Sequence, residues 1–174
     1  VDGPVTLTNN GHTIQADEQA NTRDTLTLDK QTWTLQQFHF HAPSENTVHG
    51  KRYAMEMHLV HKNASGELTV VAVMFDKGTA NPELEKLWRV MPQQAEQNVS
   101  IKQDLNLNKL LPKNKTYWRF SGSLTTPPCS EGVTWIVLKQ PLTVSAEQLA
   151  RFTQTMHHDN NRPVQSLHGR VVVE

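Results

Sequence analysis

The residues able to do chemistry concentrate in two short runs. Gln37-Phe38-His39-Phe40-His41 carries a His-x-His pair, and Glu56-Met57-His58-Leu59-Val60-His61 carries two more histidines. Side chains along a strand alternate between its faces, so His39 and His41 share one face while Phe38 and Phe40 point the other way. In the second run Glu56, His58 and Val60 fall together, opposite Met57, Leu59 and His61. Two such strands side by side bring His39, His41 and one further histidine to a point. Three neutral imidazoles with a fourth position open are the ligand set of a catalytic zinc site. A lone strand histidine is ordinarily a surface or core residue, but a paired one is a stronger sign, since chelation lowers the entropy cost of the second ligand. The third ligand is either His58 or His61. The reading favours His58, because Glu56 on the same face is a carboxylate able to orient it. His61, beside Met57 and Leu59, reads as a buried, hydrogen-bonded side chain.

Such a site needs a sheet to carry it. Asn10-Gly11 is a strong hairpin turn between strands at 5–9 and 12–16, which puts His12 at the start of the second strand. Short strands at 26–28 and 33–35 surround a turn at 29–31, and the latter runs on into the His-x-His stretch. Pro43 cannot donate to a ladder and ends that strand. Residues 49–52 turn the chain back into a strand at 53–61, and 68–75 is apolar on both faces, as a central strand is. A helix is predicted over 83–91, with Pro82 near its first position and Leu84, Leu87, Trp88 and Met91 as its buried stripe. A short helical turn is expected at 106–111, and strands at 117–124 and 133–138 flank Thr125-Thr126-Pro127-Pro128. Ser145 caps a second helix, Gln148 completes a capping box, and Leu149, Phe152, Thr153 and Met156 form its apolar side. The tail is a loop ending in a strand at 171–173. The class is α+β and sheet-dominated, with two or three surface helices.

Composition sets the outer bounds. The 174 residues suit one domain, 1–174. Lys plus Arg is 17 and Asp plus Glu is 17, so no net field argues for nucleic acid or an anionic membrane surface. No apolar run approaches the roughly 20 residues of a membrane span. Cys129 is the single cysteine and cannot form an internal disulfide. Asn-x-Ser/Thr triplets at Asn63, Asn98 and Asn114 carry little weight in an Asn-rich chain.

With these residues in view, the sequence resembles the α-class carbonic anhydrases, and bacterial members in particular. The likeness rests on Asn10-Gly11-His12, the Gln37–His41 run with Ser44-Glu45, the Glu56–His61 run, Ser123-Leu124-Thr125-Thr126-Pro127-Pro128, the run from Val133 to Leu138, and Asn161-Arg162-Pro163. The resemblance implies a large twisted, mostly antiparallel sheet with zinc at the bottom of a cone. It implies His39, His41 and His58 as zinc ligands, with Gln37 and Glu56 accepting the free ring N–H groups. It implies that Thr125 orients the zinc-bound hydroxide and passes its own proton in a hydrogen bond to Glu45. Val60, Val70, Leu124, Val133 and Trp135, with Thr126, would hold carbon dioxide, and His12 would shuttle protons. Read without the resemblance, Glu45 and Thr125 are a solvated loop carboxylate and a turn residue.

The implied reaction is reversible hydration of carbon dioxide to bicarbonate by attack of zinc-bound hydroxide. The competing reading is a carbonic-anhydrase-like zinc-binding module without turnover, or an inactive fragment; a zinc-storage role fits less well, because the histidines form no dense tract. Sulfonamides and anions are expected as inhibitors at the zinc, and a dimer as in bacterial relatives. Family members carry a further segment before the point where this chain begins, so the domain is expected to be N-terminally incomplete. In bacterial members that segment supplies a disulfide partner for the position of Cys129. A periplasmic or secreted location is expected on the same grounds.

Overall fold

A break in the alternation of the strand that carries His39 and His41 sets how they face relative to Leu35. The computed structural model describes residues 4–19, 24–101 and 105–174. Strand β4 (Gln31–His41) pairs antiparallel with β7 (Met55–Lys62), with Leu35 opposite His61 but Gln37 opposite Val60. Gln36 is thus the extra residue of a bulge. It lets Leu35 and Phe38, three positions apart, both point into the core, and it rotates Gln37, His39 and His41 together onto the other face.

Around this pair the described strands form a ten-stranded sheet. They are β1 (Val5–Asn9), β2 (Ile14–Glu18), β3 (Thr25–Leu28), β4, β7, β8 (Leu68–Lys77), β9 (Asn98–Ile101), β10 (Tyr117–Ser123), β11 (Glu131–Leu138) and β12 (Leu142–Val144). The order is β10-β11-β8-β7-β4-β2-β1-β9, with β3 added to β4 and β12 to β8. All pairings are antiparallel except β11 and β12 against β8. A separate ribbon, β5 (Thr47–Val48) with β6 (Lys51–Arg52), closes the loop between β4 and β7. The fold is sheet-dominated α+β, as read from the sequence. β9 and β12 were not legible there: each is only three or four residues long, too short to show a period.

One face of the sheet packs the main core. Phe38, Phe40, Met57, Leu59, Val73 and Phe75 meet helices α1 (Pro82–Trp88) and α2 (Ala146–Met156) there. Phe40 lies edge-on to Trp88 at 5.0 Å, and Trp88 stacks on Phe152 at 5.7 Å. Each such pair adds about 0.5–1.5 kcal/mol beyond area burial. Asn81 caps α1, accepting from the amides of Glu83 and Leu84, and the expected Ser145–Gln148 capping box opens α2. The inward face of α2 differs from the expected stripe. Gln148, Phe152, Thr155 and Met156 are buried, while Leu149 and Thr153 are only half-buried. Gln148 tolerates burial because its amide accepts from Asn81 N and donates to Asn81 O and Glu85 Oε2, all within 3.0 Å.

The hairpin also differs from the expectation. β2 begins at Ile14, so His12 lies in the turn rather than on the strand. The cause is Asn10, whose Oδ1 accepts from the amides of His12 and Thr13 and withdraws both from the ladder. Gly11, at φ +83°, takes the left-handed position. At the other end of the chain, Val173 makes a single antiparallel bridge to Arg119 instead of a strand.

Glu18 gives a pH prediction. It is buried at the end of β2, its Oε2 accepts from Asp24 N, and its Oε1 has no partner among the described residues. Burial first, and then the neighbouring Asp24 carboxyl, push its pKa up to about 7 against the opposing Asp24 amide. The folded chain therefore holds this proton more tightly than the unfolded one. The contribution is complete below about pH 4.5 and lost as pH rises through about 7. Glu18→Gln is expected to flatten the fall in thermal midpoint across that window; an unchanged pH profile would remove Glu18 as its cause.

Candidate metal centre

Register brings the histidines together. His39 lies opposite His58, and His41 opposite Glu56, across the β4–β7 ladder. One ligand atom from each of His39, His41 and His58 falls within 4.8 Å of the others. His61 is buried on the opposite face, where its Nδ1 meets Leu59 O at 2.9 Å. His58, the histidine that parity and Glu56 favoured, is thus the one the sheet brings to His39 and His41.

The other ring nitrogen of each histidine is taken. Nδ1 of His39 faces Gln37 Oε1 at 2.8 Å, Nδ1 of His41 faces Asn160 O at 3.0 Å, and Nε2 of His58 faces Glu56 Oε2. These acceptors place the ring protons outward and leave Nε2, Nε2 and Nδ1 as bare lone pairs pointing inward. His41 Nε2 is buried with no hydrogen-bond partner, and so is Glu45 Oε1. The two lie 3.3 Å apart, and His58 Nδ1 is 3.8 Å from the same oxygen. Lone pairs facing a carboxylate oxygen repel unless a cation or proton lies among them, so the donor set fits a metal ion.

The electrostatics of His39 and His41 agree. Burial, reinforced by the other histidines, drives His39 well down and His41 to about 3, so both are neutral near pH 7. His58 is also pushed down by burial, but the Glu56 carboxylate outweighs it and leaves the ring raised. Glu56 is equally buried, yet His58 and three donors from the next loop hold it below its ordinary range. Those donors are the amides of Glu45 and Asn46 at 3.0 and 2.9 Å and the Asn46 side chain at 2.7 Å. Glu56 therefore orients His58 and pins the loop that carries Glu45. Glu45 in turn accepts from the Arg162 amide at 2.6 Å, and that amide, with the nearby Thr125 side chain and the charge of His58, favours its ionised form. Burial nonetheless raises its carboxyl.

The face continues as an apolar wall. Val60 lies opposite Val70, and Val70 opposite Trp135 on β11. Val60, Val70, Ala72, Met74, Val133, Trp135 and Val137 form a cluster separate from the main core, with Leu124 packed against it. Gly122 allows β10 to close on it, since a Cβ there would lie 2.9 Å from Trp135 Cδ1. Trp135 also packs edge-on to His58 at 4.8 Å. A cavity of about 410 Å³ adjoins the centre, sharing Glu45, Thr125, Trp135 and Arg162 with it and running on between Trp118, Phe120 and the C-terminal segment. The three histidines do not line that cavity.

Two of the expected residues stand apart from this group. Thr126 is exposed and uses its carbonyl to accept from Cys129 N at 2.9 Å. The His12 side chain is exposed in its turn, and its carbonyl accepts from Asn160 Nδ2 at 3.0 Å. Cys129 carries a free thiol. Asn46, Asn160 and the Arg162 amide were not assigned from the sequence. Asn160 acts through its own carbonyl, 119 residues from His41, and no residue type or period signals a backbone contact of that kind.

Comparison with known proteins gives a consistent result. A family model described as eukaryotic-type carbonic anhydrase matches residues 1–174. A protein named carbonic anhydrase from Klebsiella pneumoniae is 70% identical over 174 residues, spanning 100% of this chain and 71% of its own length. One of the same name from Pectobacterium carotovorum is 52% identical, spanning 98% of this chain and 69% of its own. The solved complex of α-carbonic anhydrase from Thermovibrio ammonificans with the inhibitor sulfanilamide superposes with a TM-score of 0.96 at 50% identity, covering 100% of this chain and 76% of that one.

Proposed function

The chain belongs to the eukaryotic-type, or α, carbonic anhydrase family, and from that premise we propose how its own residues carry out the reversible hydration of carbon dioxide. The observation that carries the reading is the inward convergence of three bare imidazole nitrogens beside the Glu45–Thr125 pair. His39, His41 and His58 would hold zinc, and when bound it would supply a Lewis acid able to bring a water to a pKa of about 7, a value belonging to carbonic anhydrases as a class and not obtained from this chain.

The protein does the rest. Gln37, Glu56 and the Asn160 carbonyl fix the tautomers and orientations of the three rings. Thr125 has one hydroxyl proton, and Glu45 takes it in a hydrogen bond. The Thr125 oxygen is then an acceptor towards the attacking oxygen, which turns a lone pair of that oxygen to the substrate carbon. Carbon dioxide has no donor and little polarity, and the wall of Val60, Val70, Leu124, Val133 and Trp135 offers it an apolar surface. Thr126 follows Thr125 and is exposed, so its hydroxyl is available to the departing bicarbonate. An acid of pKa about 7 loses protons directly to water at only about 10³ s⁻¹, from recapture near 10¹⁰ M⁻¹s⁻¹. His12, an exposed imidazole, is of the side-chain type suited to relay them to buffer. Sulfonamides and small anions compete at the zinc. Export to an oxidising compartment and a dimeric state belong to this reading too.

Zinc content and carbon dioxide hydration of the purified chain test it together. The expected result is one zinc per chain, loss of hydration on treatment with a chelator, its return with zinc, and inhibition by a sulfonamide. Zinc at full occupancy without hydration would leave a binding module; no zinc at the three histidines would overturn the reading altogether.

A further inference from the structure

Trp135 is 3% exposed and joins the apolar wall to the metal centre. Its ring lies parallel to that of Phe120, the residue opposite it on β10, with centroids 6.2 Å apart. It meets His58 edge-on at 4.8 Å, and its Nε1 donates to Ser123 O at 3.0 Å. Gly122 backs the same ring. A Cβ there would lie 2.9 Å from Trp135 Cδ1 and 3.1 Å from Nε1. It would also come within 3.5 Å of Arg170 Nη1, which is tied to Ser121 O at 2.8 Å. Gly122 is on β10 and is not one of the glycines at positive φ, so its extended backbone suits any residue. What the position requires is the absence of a side chain.

We propose that Gly122 is a positioning residue: by lacking a Cβ it lets the Trp135 indole lie where it closes the apolar wall beside His58. The consequence for hydration rests on the function proposed above; the seat of the ring does not. Carbon atoms in contact stand about 3.5–4.0 Å apart, so an added Cβ displaces the indole by roughly 0.5–1 Å. The His58 side is closed to that movement, because Glu56 fixes the His58 ring. Relief therefore costs the bond to Ser123 O or the contact with Phe120. Either loss alters the surface that carbon dioxide meets. The nitrogens facing the metal and the imidazole of His12 are untouched.

The test is a double-mutant cycle on the zinc-loaded full chain, with Gly122→Ala, Trp135→Phe and the two combined. Phenylalanine removes Nε1 and its tether, so the smaller ring can turn from an added Cβ. Gly122→Ala alone is expected to lower kcat/KM about ten- to a hundredfold, the scale set by a misplacement near 1 Å. Its kcat in dilute buffer should change by less than about twofold, because proton release sets that rate. In the Trp135→Phe background the same substitution should cost less than about twofold in kcat/KM. A general defect in β10 would cost the same in both backgrounds, and that result would overturn the proposal. The seat of the ring is read without turnover from the indole N–H resonance of Trp135, identified by its absence from Trp135→Phe. It should shift and exchange faster with solvent in Gly122→Ala; an unchanged resonance would also overturn the proposal. If the wild-type chain does not hydrate carbon dioxide, the proposed function fails and the resonance alone decides the role of Gly122. If Gly122→Ala does not fold, recovery of the fold in the combined variant supports the proposal, and a combined variant equally unfolded overturns it.

Discussion

A His58→Ala chain is expected to lose stoichiometric zinc and, with it, measurable hydration, while His61→Ala keeps both. The two histidines lie three residues apart on β7, and both are buried. They differ in what surrounds them. His58 presents Nδ1 to the other two ligand rings and spends Nε2 on Glu56, whereas His61, on the other face, spends Nδ1 on Leu59 O of its own strand. Removing His58 deletes one of three metal bonds, so affinity should fall beyond the roughly 10- to 100-fold that loss of an outer partner costs. It also leaves Glu56 without a charge-assisted hydrogen bond. That carboxylate still accepts from Glu45 N, Asn46 N and Asn46 Nδ2, so the cost to folding is about 1–3 kcal/mol and the chain should remain folded. Competition with a chromogenic chelator reads the metal, and thermal unfolding reads the fold. Zinc retained in His58→Ala but lost from His61→Ala would put the ligand on the other face of the sheet.

The second large effect is expected at Thr125. Thr125→Ala should lower kcat/KM about 10²- to 10³-fold, in the range seen when one aligned donor or acceptor is taken from a reacting centre. Zinc content should not change, because Thr125 is not among the residues bonded to the three imidazoles. The argument is one of proton counting. The Glu45 carboxylate accepts from Arg162 N, and on the proposed reading it also takes the threonine proton, which leaves the Thr125 oxygen as an acceptor. Alanine removes that acceptor, and the attacking oxygen is free to rotate. Thr125→Ser keeps the hydroxyl and should recover most of the activity. Glu45→Gln should resemble Thr125→Ala, since a carboxamide can present its N–H and reverse the direction of the bond. A Thr125→Ala enzyme with near-normal kcat/KM would show that the hydroxyl orients nothing.

The sequence alone determined that His39 and His41 share a face opposite Phe38 and Phe40, and the type of most elements around them. Alternation along Phe38–His41 and Glu56–His61 is a local property of extended backbone, and it survives any rearrangement that keeps the strands. The cap at Ser145 and the turn at Asn10-Gly11 are legible for the same reason: each is a contact between residues two or three apart. His12 shows the limit of such readings. A turn signal locates the turn but not the number of amides that Asn10 withdraws from the ladder, and the strand began two residues later than alternation suggested. Only the tertiary structure decided what closes the centre. The Gln36 bulge, the Glu56 carboxylate reaching back to Asn46, the Arg162 amide on Glu45 and the Asn160 carbonyl on His41 join segments 10 to 119 residues apart. Three of these four contacts involve backbone groups, which every residue carries, so no residue type marks them in advance. They exist because burying four polar side chains on one face of the sheet requires a partner for each polar atom, and the fold supplies those partners from whichever segment passes nearest.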